Sequence, residues 1–469
     1  MKIDMVWLMG VWQLGTYGPD LDKTHIESFR KDLPDVQSDD IIGSPYAVRN
    51  YSVNSDIGSR ADLAAVRSKL KALGMQLMLD FVPNHGAVDS ALVDTSPEIF
   101  VQRPNSSYAS PLDGSWWIQR GHRTFAYGRG PFDDPWVDTL QYNYWNQKTV
   151  ATMTDILISI ASQADAIRCD MAMLVLTDVV QRTWGDVLRA NGNQRPSSEF
   201  WDVAVKAVRS QHPDTVFMAE AYDYGVTNPP EQQLLQKLGF DFVYNKDVLD
   251  KLNSGNLDQV RGYISSQSQG FFERTAHFAE NHDEPRSAKA LGGQQQAFAG
   301  SVVASTLPGL RLFYFGQFEG FAAKLDVQLR RATAELPNEK LFNQYRRLLA
   351  VLADDVFHTG TWAYIQTPKG GSAWRLVAWR WSSEDGASKR LVVVNFSDQQ
   401  AWANVQVADA ESQGSDYIAI TEMLTGTTYQ RRASELKSTG LVCGLGPWSA
   451  QIFKYDRTQP SWPRMIAFV

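Results

Sequence analysis

The chain has 469 residues, enough for two or three hydrophobic cores, and its 43% hydrophobic and 21% charged content is ordinary for a globular protein. A net charge of −7 and the lack of any dense Lys/Arg run exclude nucleic acid and anionic membrane as main partners. No apolar run approaches the roughly 20 residues of a spanning helix, and two cysteines, Cys169 and Cys443, need no disulfide framework.

Ile3–Met9 reads as a strand buried on both faces, not as a leader, because Asp4 interrupts it and no small-residue cleavage site follows; a cytoplasmic location is the expectation. A Gly- and Pro-rich loop follows, carrying Tyr46. Residues 62–73 have helical spacing with an acidic start and Gly74 as C-cap, and residues 75–82 are the next strand. Strand, helix and strand in that order are the βαβ unit of a parallel sheet. Periodicity then vanishes over 84–147, too long for a structureless loop, and this stretch is expected to be an inserted lobe. Further strands are expected near 164–169, 216–220, 239–243, 275–281 and 310–315, with helices between them. From residue 356 short strands alternate with turns, as in an antiparallel sandwich over 356–457, and 458–469 reads as an irregular tail. The sandwich is expected to pack on the first domain, not to bind polysaccharide by itself.

The expected fold is therefore an α/β barrel over 1–83 and 148–355, with the lobe inserted after its third strand. Seven strands can be counted where a (β/α)₈ barrel has eight, and the first strand and helix are the missing ones.

Four of these strands end in polar groups: Asp80, Asn84 and His85 after one, Arg168 and Asp170 on the next, then Glu220, then His282 and Asp283. Parallel neighbours would deliver all of them at one end of one sheet. Arg168 lies two residues before Asp170 and so on the same side of its strand, where its charge favours an ionised Asp170. Glu220 follows an apolar run, a setting that favours a held proton. Acids converging in two such settings make a catalytic carboxylate site. A metal hydrolase would require clustered histidines, and no Gly-rich phosphate loop stands between strand and helix.

The four strand ends resemble the motifs of the α-amylase family, glycoside hydrolase family 13. DFVPNH (80–85), AIRCD (166–170), AE (219–220) and ENHDEPR (280–286) occur in the family's order, and the long insertion falls where the family places its domain B. The resemblance implies hydrolysis of α-glucosidic bonds in α-glucan or maltooligosaccharide, with Asp170 as nucleophile, Glu220 as acid/base and Asp283 as third carboxylate. It implies sugar contacts for Tyr46, His85, Arg168 and His282, and supporting roles for Asp80 and Asn84. Transglycosylation and sucrose- or trehalose-type substrates use the same three acids and stay open. Where many members carry Lys-His after the nucleophile, this chain has Met173 and Leu174. That leaves Asn84 as the only matched calcium ligand, to be used only if calcium binds, and no cofactor is expected to be required. A non-catalytic carbohydrate- or partner-binding relative is the competing reading; the missing strand favours it, and retention of all three acids opposes it. Trp116, Trp117 and Trp136 are read first as the core of the lobe.

Overall fold

The computed structural model describes residues 2–104, 114–368, 370–407, 410 and 416–456; the expected tail at 458–469 lies outside the described residues. The chain forms two compact bodies, one of Ile3–Tyr244 with Leu325–Thr333, the other of Asn245–Lys324 with the described residues from Ala334 on.

In the first body five parallel strands lie side by side in chain order: Met5–Leu8, Gln76–Phe81, Ala166–Cys169, Val216–Ala219 and Phe242–Tyr244. The intervening segments are helical because apolar residues recur on one face between clear stop signals. Helix Arg60–Ala72 starts at a reciprocal cap, Ser59 Oγ accepting from Asp62 N and Ser59 N donating to Asp62 Oδ2 at 2.9 Å. It ends before Gly74, whose φ of +76° supplies the left-handed exit the sequence predicts. Gln76–Phe81, Ala166–Cys169 and Val216–Ala219 bury both faces, which explains their unbroken apolar runs; Met5–Leu8, last in the strand order, is half-buried throughout and not buried on both faces as its apolar run suggests. Trp201, Phe81 and Phe240 form the aromatic centre of this core, with ring centroids 6.1 and 4.8 Å from the indole. Trp201 Nε1 also donates to Ala172 O at 2.9 Å, so the core fixes the loop that follows Asp170.

The stretch after Phe81 builds short antiparallel pairs, His85–Ala87 with Thr139–Gln141 and Trp117–Arg120 with Arg123–Ala126. Trp117 is buried in a small cluster with Trp145 and Trp184, in keeping with a lobe-core role.

The second body holds a parallel pair, Thr275–His277 with Leu310–Arg311, among helices that include Gln294–Thr306 and Glu339–Leu352. Seven parallel strands are thus present among the described residues, five in one body and two in the other. The strand expected over 310–315 pairs only at its first two residues. Beyond them the chain turns, with Gln317 N donating to Tyr314 O at 3.0 Å and Gln317 Oε1 accepting from Tyr314 N at 3.0 Å. From Thr361 the strands form a six-stranded antiparallel sheet and a two-stranded one, Ala401–Val405 with Leu441–Leu445. Inward residues of both, Ala378, Val393, Ala403, Val405, Ile420 and Cys443 among them, share one core, the arrangement of a sandwich. No helix among the described residues is long and apolar enough to cross a membrane.

Candidate active site

Strand register brings the first two carboxylates together. Cys169 pairs with Ala219 across the parallel ladder, so the next residues, Asp170 and Glu220, leave adjacent strands side by side. Asp170 N donates to Phe81 O at 2.8 Å and Glu220 N to Cys169 O at 3.0 Å, which extends the ladder to the carboxylates themselves.

Arg168, 0% exposed, links them: Nη1 donates to Asp170 Oδ1 and Nη2 to Glu220 Oε2, both at 2.7 Å. Nη1 also lies 3.6 Å from Asp80 Oδ1, and Nε donates to Tyr244 Oη at 3.3 Å. The rings of Trp7 and Tyr46, each 5.2 Å from the guanidinium carbon, and of Tyr244 at 5.6 Å surround the cation. Burial opposes the charge, but Glu220, Tyr244, Tyr46 and Asp170 overcome it and hold the guanidinium pKa well above its ordinary value.

Glu220 does not meet the apolar setting its strand suggests. Its Oε2 accepts from Arg168 and from Met171 N at 2.9 Å, and its Oε1 accepts from Tyr222 Oη at 2.9 Å. Val216–Ala219 deliver the carboxylate, but donors ring its oxygens. Met171 reaches it through a left-handed backbone, φ 40° and ψ 46°, costly for a residue with a Cβ and of a kind that collects at functional sites. Ala172 N donates to Glu220 O at 2.8 Å, so two successive amides after Asp170 grip Glu220. Met173 and Leu174 are buried just beyond.

His85 lies buried against Trp136, ring centroids 5.0 Å apart, and burial alone pushes its pKa down to about 3. Its Nδ1 is 3.3 Å from Asn84 Nδ2. Gln141 Nε2 donates to Asn84 O at 3.0 Å, to Asn84 Oδ1 at 2.8 Å and to Tyr142 O at 3.3 Å. Asp80 accepts from Trp7 Nε1 at 3.1 Å.

Asp283 and His282 stand in the second body, after the Thr275–His277 strand. His282 Nε2 lies 3.1 Å from Asp283 Oδ2, and Asn281 Oδ1 accepts from the amides of Asp283 and Glu284, both at 3.0 Å. Buried Glu280, given no role from sequence, binds Arg286 Nη1 at 2.8 Å and Ser287 Oγ at 2.6 Å and fixes the far side of this turn.

Sequence reasoning missed Trp7, Tyr222, Tyr244 and the Met171 amide. Trp7 and Tyr244 carry the same signal, a side chain with a polar edge in the last two residues of a parallel strand.

Buried neutral histidines impose a pH dependence. His85 at about 3 and His277 at about 4, both pushed down by burial, stay uncharged in the folded chain, while unfolded histidines protonate near pH 6.5. The unfolded state therefore binds more protons between about pH 6.5 and 4, and stability falls as pH falls through that window. His277→Gln is expected to flatten the decline in urea midpoint over that range; an unchanged slope would show that the His277 ring is protonated in the fold.

The alpha-amylase catalytic domain family model matches residues 33–336. Among relatives, the alpha-1,4-glucan:maltose-1-phosphate maltosyltransferase of Picrophilus torridus is 26% identical over 307 residues, 64% of this chain and 41% of the relative. The alpha-amylase MalA of Haloarcula japonica is 22% identical over 375 residues, 79% of this chain and 49% of the relative. The chain thus spans half or less of the length of these two curated relatives. The crystal structure of the noncanonic maltogenic alpha-amylase AmyB of Thermotoga neapolitana superposes with a TM-score of 0.67 at 19% identity, covering 97% of this chain and 91% of that one.

Proposed function

The chain belongs to the alpha-amylase family and is an enzyme of that family, and from that premise we propose that it is a retaining glycoside hydrolase of α-glucosidic bonds in α-glucan or maltooligosaccharide. The observation that carries the reading is the single buried guanidinium of Arg168 holding Asp170 and Glu220 at the ends of adjacent strands.

In the first step an Asp170 carboxylate oxygen attacks the anomeric carbon while Glu220 gives its proton to the departing glycosidic oxygen. In the second, Glu220 takes a proton from water, the water oxygen attacks the same carbon, and the ester to Asp170 breaks. Two inversions return the α anomer. Arg168 keeps Asp170 anionic and aimed; the Tyr222 hydroxyl and the Met171 amide orient Glu220. Neutral His85 would offer an uncharged ring nitrogen to a sugar hydroxyl, and Tyr46 would close the site on its sugar side. Asp283 and His282 enter this proposal through the ENHDEPR motif, as the third carboxylate and its neighbour.

Transfer to a sugar in place of water uses the same intermediate, and the maltosyltransferase relative favours that second reading. Incubation with maltooligosaccharides, followed by proton NMR of the first products, tests both. Free α-anomeric sugars support hydrolysis, lengthened chains support transfer, and β-anomeric products refute double displacement.

This reading uses no metal. The Gln141 amide nitrogen already occupies the centre of the oxygens of Asn84 and Tyr142, so this donor set does not fit a cation. The melting temperature is expected to be the same with calcium or with EDTA; a calcium-dependent rise would show that Asn84 takes up the ion.

A further inference from the structure

We propose that the two-stranded sheet of the C-terminal sandwich carries a second glucan-binding site, a platform built on Trp402. The proposal rests on the α-glucan reading of the substrate. Among the described tryptophans only Trp374 and Trp402 are exposed, at 37% and 54%. Trp402 points outward from the Ala401–Val405 strand, whose burial alternates, and pairs across the ladder with Gly444. The indole lies flat on that glycine: a Cβ there would stand 2.2, 2.5 and 2.7 Å from three atoms of its six-membered ring. One face of the ring is thus pressed on backbone and its orientation set before any ligand arrives, while the other face is open. Covering a strand glycine is a structural use for an aromatic ring, but it needs only one face.

The surroundings select the ligand. Ala401–Val405 and Leu441–Leu445 contain no charged residue, and beside the indole the outward positions are Asn404 and Val442. An uncharged platform suits a neutral ligand and offers nothing to a phosphate backbone or an anionic headgroup. Pyranose rings present flat C–H faces for an indole and hydroxyls for amides at the rim. At the edge, Ser372 Oγ accepts from Trp402 N at 2.9 Å, and Arg375, over the Trp374 ring at 4.8 Å, donates to Gln399 Oε1 at 2.8 Å. These contacts tie the loop bearing the second exposed indole to the strand bearing the first. Ligand ordering costs little on such a rigid surface.

Affinity electrophoresis of the full chain in gels containing soluble amylose tests the site, with Asp170→Asn throughout to prevent digestion. Trp402→Ala is expected to weaken retardation about tenfold, the scale for truncating an aromatic anchor. Gly444→Ala, which pushes the ring off its seat, is expected to act in the same direction, and Trp402→Phe to retain part of the binding. With Asp170 intact, Trp402→Ala should leave kcat/KM on maltotriose unchanged. Retardation equal to the parent's in Trp402→Ala overturns the site. A chain that cleaves maltooligosaccharides but is not retarded overturns the platform alone; one retarded through Trp402 that cleaves no α-glucan overturns the proposed function while the platform stands.

Discussion

Asp170→Asn is expected to lower glycoside turnover by about 10⁴-fold or more, the scale for removing a group that bonds to the reacting atom. The change is nearly isosteric, and the Asn oxygen can still accept from Arg168 Nη1, while Nη2 keeps its bond to Glu220 Oε2 at 2.7 Å. Stability should therefore fall by less than about 2 kcal/mol, far less than losing a buried ion pair outright. Asp170→Gly in the presence of azide offers the complementary result. A small anion entering the space left by the carboxylate should restore turnover and yield the β-glycosyl azide, because one inversion replaces two. Turnover by Asp170→Asn near the parent rate would remove Asp170 from the chemistry.

The second large effect belongs to Arg168→Met. Deleting the guanidinium leaves Asp80, Asp170 and Glu220 facing the space it filled, with three tyrosine or tryptophan rings that no longer meet a cation. Breaking a buried pair from one side costs about 3–5 kcal/mol, and here more than one partner is stranded. Without the guanidinium the three carboxyls repel one another most when all are ionised, so the deficit in urea unfolding should be larger at pH 8 than at pH 5. Activity should fall with it, since Asp170 loses the charge that keeps it ionised. Arg168→Lys tests whether charge alone suffices: one ammonium cannot offer two nitrogens to two carboxylates, so it should recover stability better than turnover.

The site's skeleton was legible because strand ends are a one-dimensional signal. Asp170 and Glu220 each follow an apolar run, and in-register parallel strands make such residues neighbours without any knowledge of packing. Arg168 was legible for the same reason, two residues before Asp170 on one strand. What the sequence hid depends on backbone conformation and on distant partners. Nothing in the letters of Met171 signals a left-handed residue, yet that turn aims its amide at Glu220. Tyr222 reads as one more loop aromatic until its hydroxyl is found 2.9 Å from Glu220.

The fold divides in a similar way. Continuous apolar strands, the capped helix after Ser59 and the alternating strands after residue 356 follow from periodicity. Segment ends did not. Gly239–Val243 reads as one strand, but Phe240 N closes a helical turn onto Leu235 O at 3.1 Å, so ladder pairing starts only at Phe242. Tyr314 similarly leaves the ladder because Gln317, three residues on, accepts from its amide through Oε1 at 3.0 Å. Exposure was the least legible property, since fifteen tryptophans look alike in a composition and only the fold leaves Trp402 lying open on Gly444.

Covalent trapping tests the central claim most directly. Treatment with a 5-fluoro-α-glucosyl fluoride should stall the reaction after the first displacement, and peptide mass spectrometry should find one fluoroglucosyl group on the peptide bearing Asp170. The adduct should be absent in Asp170→Asn. A label on any other carboxylate, or steady turnover of the reagent with no adduct, would contradict the account.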